Sequence, residues 1–150
     1  QTFNLASWLI TQGAEKEKII KALYKTKPLN QLKLWGRLLG GLEWQNEKNI
    51  AWLETKNEDF TETQTSPKDL LFILEEVKDL LPQLKITFIF YYEETGIVSI
   101  LAHSPRTDLL QKLHLELGGT IKNSRGLFKI AACDATEAKQ KISALLTPLL

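Results

Sequence analysis

Nine residues near the C-terminal end limit the folds open to this chain more than any other stretch: Gly118-Gly119-Thr120-Ile121-Lys122-Asn123-Ser124-Arg125-Gly126. They follow a segment with Leu109, Leu110, Leu113 and Leu117 at helical spacing. They precede Leu127-Phe128-Lys129-Ile130-Ala131-Ala132, which is short, mostly apolar and strand-like. The plain reading is a helix C-terminus, a Gly-Gly exit and a tight turn into a strand. Glycine at such an exit supplies a positive φ and lets another backbone or a ligand approach. Lys122 and Arg125, with the small polar Asn123 and Ser124, can hold an anion in the turn. The negative end of the preceding helix dipole is expected to face this loop, so any anion preference has to come from the two cations. Helix cap plus hairpin, with no ligand, is the other reading of the same residues.

The rest of the chain supplies the partners for that hairpin. Phe3 to Ile10 and Glu15 to Tyr24 show apolar residues on one face, with Gly13 between them and Pro28 as a breaker. Leu29 to Trp44 is expected to be one helix with Leu32, Trp35, Leu38, Leu39 and Leu42 inward. Asn49 to Thr55 reads as a strand, and the polar Lys56 to Thr65 as a loop with a frayed helical turn. Ser66-Pro67-Lys68-Asp69 is a helix start, followed by a stripe of Leu70, Leu71, Leu74, Val77, Leu80 and Leu81 that Pro82 stops. Leu84 to Tyr92 and Ile97 to His103 read as paired strands around a Glu93-Glu94-Thr95-Gly96 turn. Thr107 to Leu117 is helical, and Asp134 caps a last helix carrying Ala138, Ile142, Leu145 and Leu146. From Asn49 on, the order predicts an α/β fold in which helices cover a mixed sheet, behind an N-terminal helical segment. The expected division is residues 1–46 and 47–150.

Composition narrows the class. A 150-residue chain buries about 70% of its unfolded surface, enough for one sizeable core. A net charge of +1 argues against a dedicated nucleic-acid binder. Cys133 is the sole cysteine, which excludes an internal disulfide and suits a reducing cytosol. No apolar run approaches the length of a membrane span. Methionine is absent, so the chain is expected to be a piece of a longer protein. Neither His103 nor His114 sits in a metal-ligand spacing motif, and no catalytic or metal-ligating residue is assigned. His114 is expected on the exposed flank of its helix. The four tryptophans, Trp8, Trp35, Trp44 and Trp52, suit core packing better than base stacking.

The glycine-rich stretch resembles the signature of the DHH-associated domain, found at the C-terminus of DHH phosphoesterases, which reads approximately G-G-G-H-K-N-A-S-G. Gly118, Gly119, Lys122, Asn123 and Gly126 match it, while Thr120 and Ile121 stand at its third glycine and its histidine. A-S-W-L-I-T-Q-G-A-E-K-E-K-I-I-K-A-L-Y resembles the closing helices of the DHH domain, and the helix after Pro28 resembles its connector. Ser99-Ile100-Leu101-Ala102-His103-Ser104 resembles the family's strand ending in Arg-Ser, with His103 at the arginine position.

The resemblance implies a DHH-associated α/β domain that recognises substrate phosphate for a manganese-dependent phosphoesterase. Its nearest branch degrades short oligonucleotides and dephosphorylates nucleoside bisphosphates. The metal-binding catalytic domain would be a partner missing from this chain. The implied substrate-binding residues are Gly118, Gly119, Thr120, Ile121, Lys122, Asn123, Ser124 and Arg125, with His103 and Arg106. The implied ligands are a phosphate-bearing nucleotide or short oligonucleotide, in the cytoplasm. The N-terminal helices, built to pack on a catalytic domain, are expected to promote self-association. The departures at Ile121 and His103 keep a second expectation open, a non-catalytic scaffold that retains the fold and has lost the ligand.

Overall fold

The computed structural model describes residues 29–45 and 47–150. The helices expected over Phe3 to Ile10 and Glu15 to Tyr24, with Trp8, Gly13 and Pro28, lie outside the described residues. In order come α1 (Leu29–Gly40), β1 (Glu43–Gln45), β2 (Ile50–Glu54), α2 (Asn57–Thr63), a 3-10 turn at Pro67–Asp69 and α3 (Leu70–Leu80). Then follow β3 (Ile86–Glu94), β4 (Ile97–His103), α4 (Thr107–Leu117), β5 (Thr120–Lys122), β6 (Arg125–Ala131) and α5 (Ala135–Leu146). The strands form one sheet of six in the order β1-β2-β3-β4-β6-β5. β2 and β3 pair in parallel, and the other neighbours are antiparallel. This is the mixed α/β fold that the order of elements predicts.

Each face of the sheet carries its own apolar layer. Trp52, Phe88, Phe90, Ile100 and Phe128 meet Leu109, Leu110 and Leu113 of α4 and Ala138, Ile142 and Leu146 of α5. On the other face Leu53, Ile89, Tyr91 and Leu101 meet Leu34 and Leu38 of α1 and Leu70, Ile73, Leu74 and Val77 of α3. Covering on both faces explains why β2 does not alternate: Ile50 to Leu53 are all buried. Trp52 stacks on Phe88 with ring centroids 4.7 Å apart, which makes it a core residue. Trp35 packs half-buried beside the second layer, and Trp44 is 41% exposed on an edge strand.

Three local expectations need correction. The first helix stops at Gly40 instead of Trp44. Gly40 and Gly41 disfavour another turn, and Glu43–Gln45 pairs with β2 as the sheet's edge strand. The polar stretch after β2 is a helix and not a loop. The Lys56 N–H donates to the Asp59 carboxylate at 2.8 Å, and Arg37 of α1 holds Asp59 at 2.8 Å and also pairs with Glu62. Long-range ion pairs support α2 where an apolar stripe is lacking. In α3 the inward stripe is Leu70, Ile73, Leu74 and Val77, while Leu71 and Leu80 are 40% and 60% exposed. Counting from Leu70 at 3.6 residues per turn puts Leu71 about 100° off the buried line.

Asp134 caps its helix as read, whereas the Ser66 side chain makes no cap hydrogen bond and Asp69 reaches back in its place. The Ser66 N–H donates to the Asp69 carboxylate at 2.8 Å, and the Asp134 carboxylate accepts the Glu137 N–H at 2.9 Å.

Candidate functional site

The hairpin β5–β6 lies at one edge of the sheet, and its geometry follows from its glycines. Gly118 ends α4 with φ 76° and ψ −132°, and its N–H donates to the His114 carbonyl at 2.8 Å. Gly119 also has φ 76°, and a Cβ there would stand 2.2 Å from the Leu127 carbonyl oxygen. At Gly126 a Cβ would stand 2.4 Å from a carbon of the Phe128 ring, which covers the glycine. Each of these glycines therefore has a conformational or steric use.

β5 then returns the chain along α4. The three residues of β5, Thr120–Lys122, cover about 10 Å of a helix about 16 Å long, before the turn reverses the chain. The Asn123-Ser124 turn, with Asn123 at φ 58°, lies beside the residues that lead into α4. The Ser104 N–H donates to the Ser124 carbonyl at 2.9 Å. The sequence led us to expect the turn at the negative, C-terminal end of this helix. The Gly-Gly exit is there, but the cations are carried back toward the positive end.

Ser104 ties the region together, and sequence reasoning overlooked it. It is fully buried. Its hydroxyl donates to the Lys85 carbonyl ahead of β3, and it accepts the Arg106 N–H at 3.0 Å. A small polar residue just after a strand is the signal that points to such a junction. Replacing Ser104 with alanine strands a buried carbonyl and an N–H. We expect a loss of about 1–3 kcal/mol in denaturant unfolding, with the amide exchange of Ser124 and Arg106 accelerated more than that of α5.

Register places the charged residues. Arg125 is opposite Lys122 on β5 and opposite His103 on β4. Directly opposite residues point to the same face, so Lys122, Arg125 and His103 form one lateral row at the end of the sheet. Lys122 is exposed, and Arg125 and His103 are half-buried. Among the described residues no hydrogen bond or ion pair occupies the side chain of Lys122 or Arg125. Burial, then the nearby Lys78 charge, holds the His103 pKa below its ordinary 6.5, with Arg125 adding to the effect and Glu75 opposing it. His103 is thus neutral at pH 7 and offers one donor and one acceptor.

A cleft of about 460 Å³ opens beside the row, lined by Lys78, Asp79, Thr87, His103, Pro105 and Ser124 among others. Lys78 pairs with Glu75 at 2.7 Å across an exposed surface, and Glu75 also feels Arg125 and His103. Lys78 had no motif to announce it, and the fold alone brings it here.

The remaining predicted residues are placed differently. Thr120 is exposed and opposite Leu127. Ile121 is half-buried against the α4–α5 apolar layer, opposite Gly126. Arg106 is engaged elsewhere, with Asp108 at 2.5 Å and the Leu149 carbonyl at 3.0 Å. His114 is exposed on α4, with Nδ1 3.1 Å from the Gly118 carbonyl oxygen. Among the described residues no group of three or more His, Cys, Asp and Glu side chains gathers as a metal site.

No protein-family profile and no curated protein sequence matches this chain. Its fold is found among solved structures. An exopolyphosphatase-related protein from Bacteroides fragilis superposes with a TM-score of 0.69 at 15% sequence identity. The match covers 98% of this chain and 44% of that protein, so the chain spans less than half of its neighbour's length. At this identity the likeness is one of fold.

Proposed function

We propose that this domain recognises phosphate on a nucleotide or short oligonucleotide, as the substrate-binding part of a phosphoesterase whose catalytic domain lies outside this chain. The observation that carries the reading is the row of Lys122, Arg125 and His103 beside an open cleft. Lys122 and Arg125, which have no hydrogen bond or ion pair among the described residues, can make charge-assisted contacts to phosphate oxygens, and neutral His103 can donate one more. The fold likeness to an exopolyphosphatase-related protein supports a phosphoesterase setting. In this reading manganese is held by the catalytic partner, and the setting is a reducing cytosol, which suits the exposed thiol of Cys133. Self-association through the N-terminal helices remains part of the proposal.

One observation favours the scaffold reading instead. Ile121, at the histidine position of the resembled signature, turns its side chain toward the α4–α5 layer. Titration calorimetry with a mononucleotide and a short oligonucleotide decides between them. Saturable binding of either supports phosphate recognition, and no binding by folded protein leaves the scaffold. Ile121→His is expected to cost about 1–2 kcal/mol, since it puts a polar ring into an apolar layer. Tighter nucleotide binding at unchanged melting temperature would show that position 121 faces ligand after all.

A further inference from the structure

Helix α3 packs on β3 and β4, and among the described residues no helix covers the same face of β6 and β5, where Leu127 is 42% exposed. Along β6 the residues on that face are Arg125, Leu127, Lys129 and Ala131, while Gly126, Phe128 and Ile130 turn into the α4–α5 layer. Lys122 and Thr120 continue the face on β5, opposite Arg125 and Leu127. The pattern reads in rows across the strands. The first row sets the two cations Arg125 and Lys122 beside neutral His103; the second is Leu101-Leu127-Thr120; the third sets Lys129 beside Ser99. Successive rows lie about 6.6 Å apart, and Arg125 to Lys129 spans about 13 Å.

An exposed leucine is ordinary by itself. Leu127 differs in its setting, 42% exposed between two rows that each carry a lysine or arginine. These strands bring no carboxylate to the face. Two acids reach it from neighbouring elements: Glu75 of α3, whose charge is felt at Arg125 and His103 but which is hydrogen-bonded to Lys78, and Glu94, paired with Lys129 at 3.1 Å with both side chains 53% exposed. Such a solvated pair is weak and exchanges readily for another anion. Charge, apolar surface and charge in succession suit a chain that carries both phosphates and flat apolar bodies, with the two charged rows about two nucleotide steps apart. A polyphosphate would instead lay uncompensated anionic oxygens over the leucine.

We propose that this open face is a track for a short single-stranded oligonucleotide, with one phosphate on Lys122 and Arg125, a base on Leu127 and a further phosphate on Lys129. The inference rests on the phosphate reading above and adds the direction in which the ligand runs, from the cleft end of the sheet along β6. The leucine supplies contact to the face of any base, so recognition on the track is indifferent to sequence.

The test is calorimetric titration of the whole chain with inorganic phosphate, tripolyphosphate, a 5′-phosphorylated trinucleotide and a Glu/Leu-alternating peptide, repeated for Leu127→Ser and Lys129→Ala. Both positions are exposed, so the variants keep the fold. The trinucleotide is expected to bind at least tenfold more tightly than phosphate, tripolyphosphate or the peptide. Each variant should lose three- to tenfold toward the trinucleotide and nothing toward phosphate. Lys129→Ala should also flatten the dependence of log affinity on log salt by about 0.7, the loss of one contact to a single strand. Equal affinity for phosphate and trinucleotide, or variants that leave the trinucleotide unaffected, overturns the track while phosphate recognition stands. Preference for tripolyphosphate or for the peptide overturns it in favour of that ligand. No binding of any probe overturns both.

Discussion

Replacing Gly119 with alanine is expected to destabilise the chain by about 2–5 kcal/mol. Two costs add. At φ 76° an L-residue loses about 1–2 kcal/mol to its own backbone. The new methyl would also stand 2.2 Å from the Leu127 carbonyl oxygen and 2.9 Å from Phe128 Cδ1. Neither neighbour can give way cheaply, because β6 is hydrogen-bonded on both sides, to β4 and β5, and Phe128 is fully buried. Overpacking of that kind adds about 1–3 kcal/mol. Gly118→Ala is the control, with the same φ but nothing within 4 Å of the added Cβ. It should cost only the backbone share, about 1–2 kcal/mol. Urea unfolding of both variants checks the difference, and equal losses would mean that β6 does not press against the Gly-Gly exit.

The second large effect is on binding. Alanine at both Lys122 and Arg125 should weaken nucleotide binding tenfold or more, on the order of 1.4 kcal/mol. Well-formed charge-assisted contacts contribute roughly 1.5–3 kcal/mol each, and solvated ones much less. Exposed Lys122 belongs at the low end, and half-buried Arg125 above it. The fold should be indifferent to the change, since neither side chain has a described partner to strand. Unchanged affinity with an unchanged melting curve would move the anion away from the row.

The two effects separate what the sequence displayed from what it concealed. Runs of β-branched and aromatic residues made β3 and β4 legible, and period-3.6 apolar patterns α4 and α5, because each buries one side or both against a neighbour. Asp134 and Ser66 announced their helices through local hydrogen bonds. α2 escaped notice because Arg37 and Asp59, which support it, are 22 residues apart. The hairpin was visible as a motif, yet its cations were assigned to the wrong end of α4. That error arose because the return distance of β5 depends on pairing with β6 and not on the motif. The His103-Arg125-Lys122 row depends on strand register, and Lys78 is brought to it by the packing of α3 on the sheet; no local pattern encodes either. Ile121 shows the converse. Read as a motif position it faces ligand, whereas strand alternation opposite Gly126 turns it into the core.

The shape of the sheet bears on how the protein behaves at high concentration. β3, with nine residues reading Ile-Thr-Phe-Ile-Phe-Tyr-Tyr-Glu-Glu, has the composition of an aggregation-prone segment. It lies in the interior of the sheet, between β2 and β4. The two outer strands, β1 and β5, have only three residues each, Glu-Trp-Gln and Thr-Ile-Lys. A three-residue border with a charged end offers too few free N–H and C=O groups to template a foreign strand. Fibril growth would therefore have to wait for β3 to be released by unfolding, and thioflavin-positive material should accumulate in proportion to the unfolded population rather than to total protein.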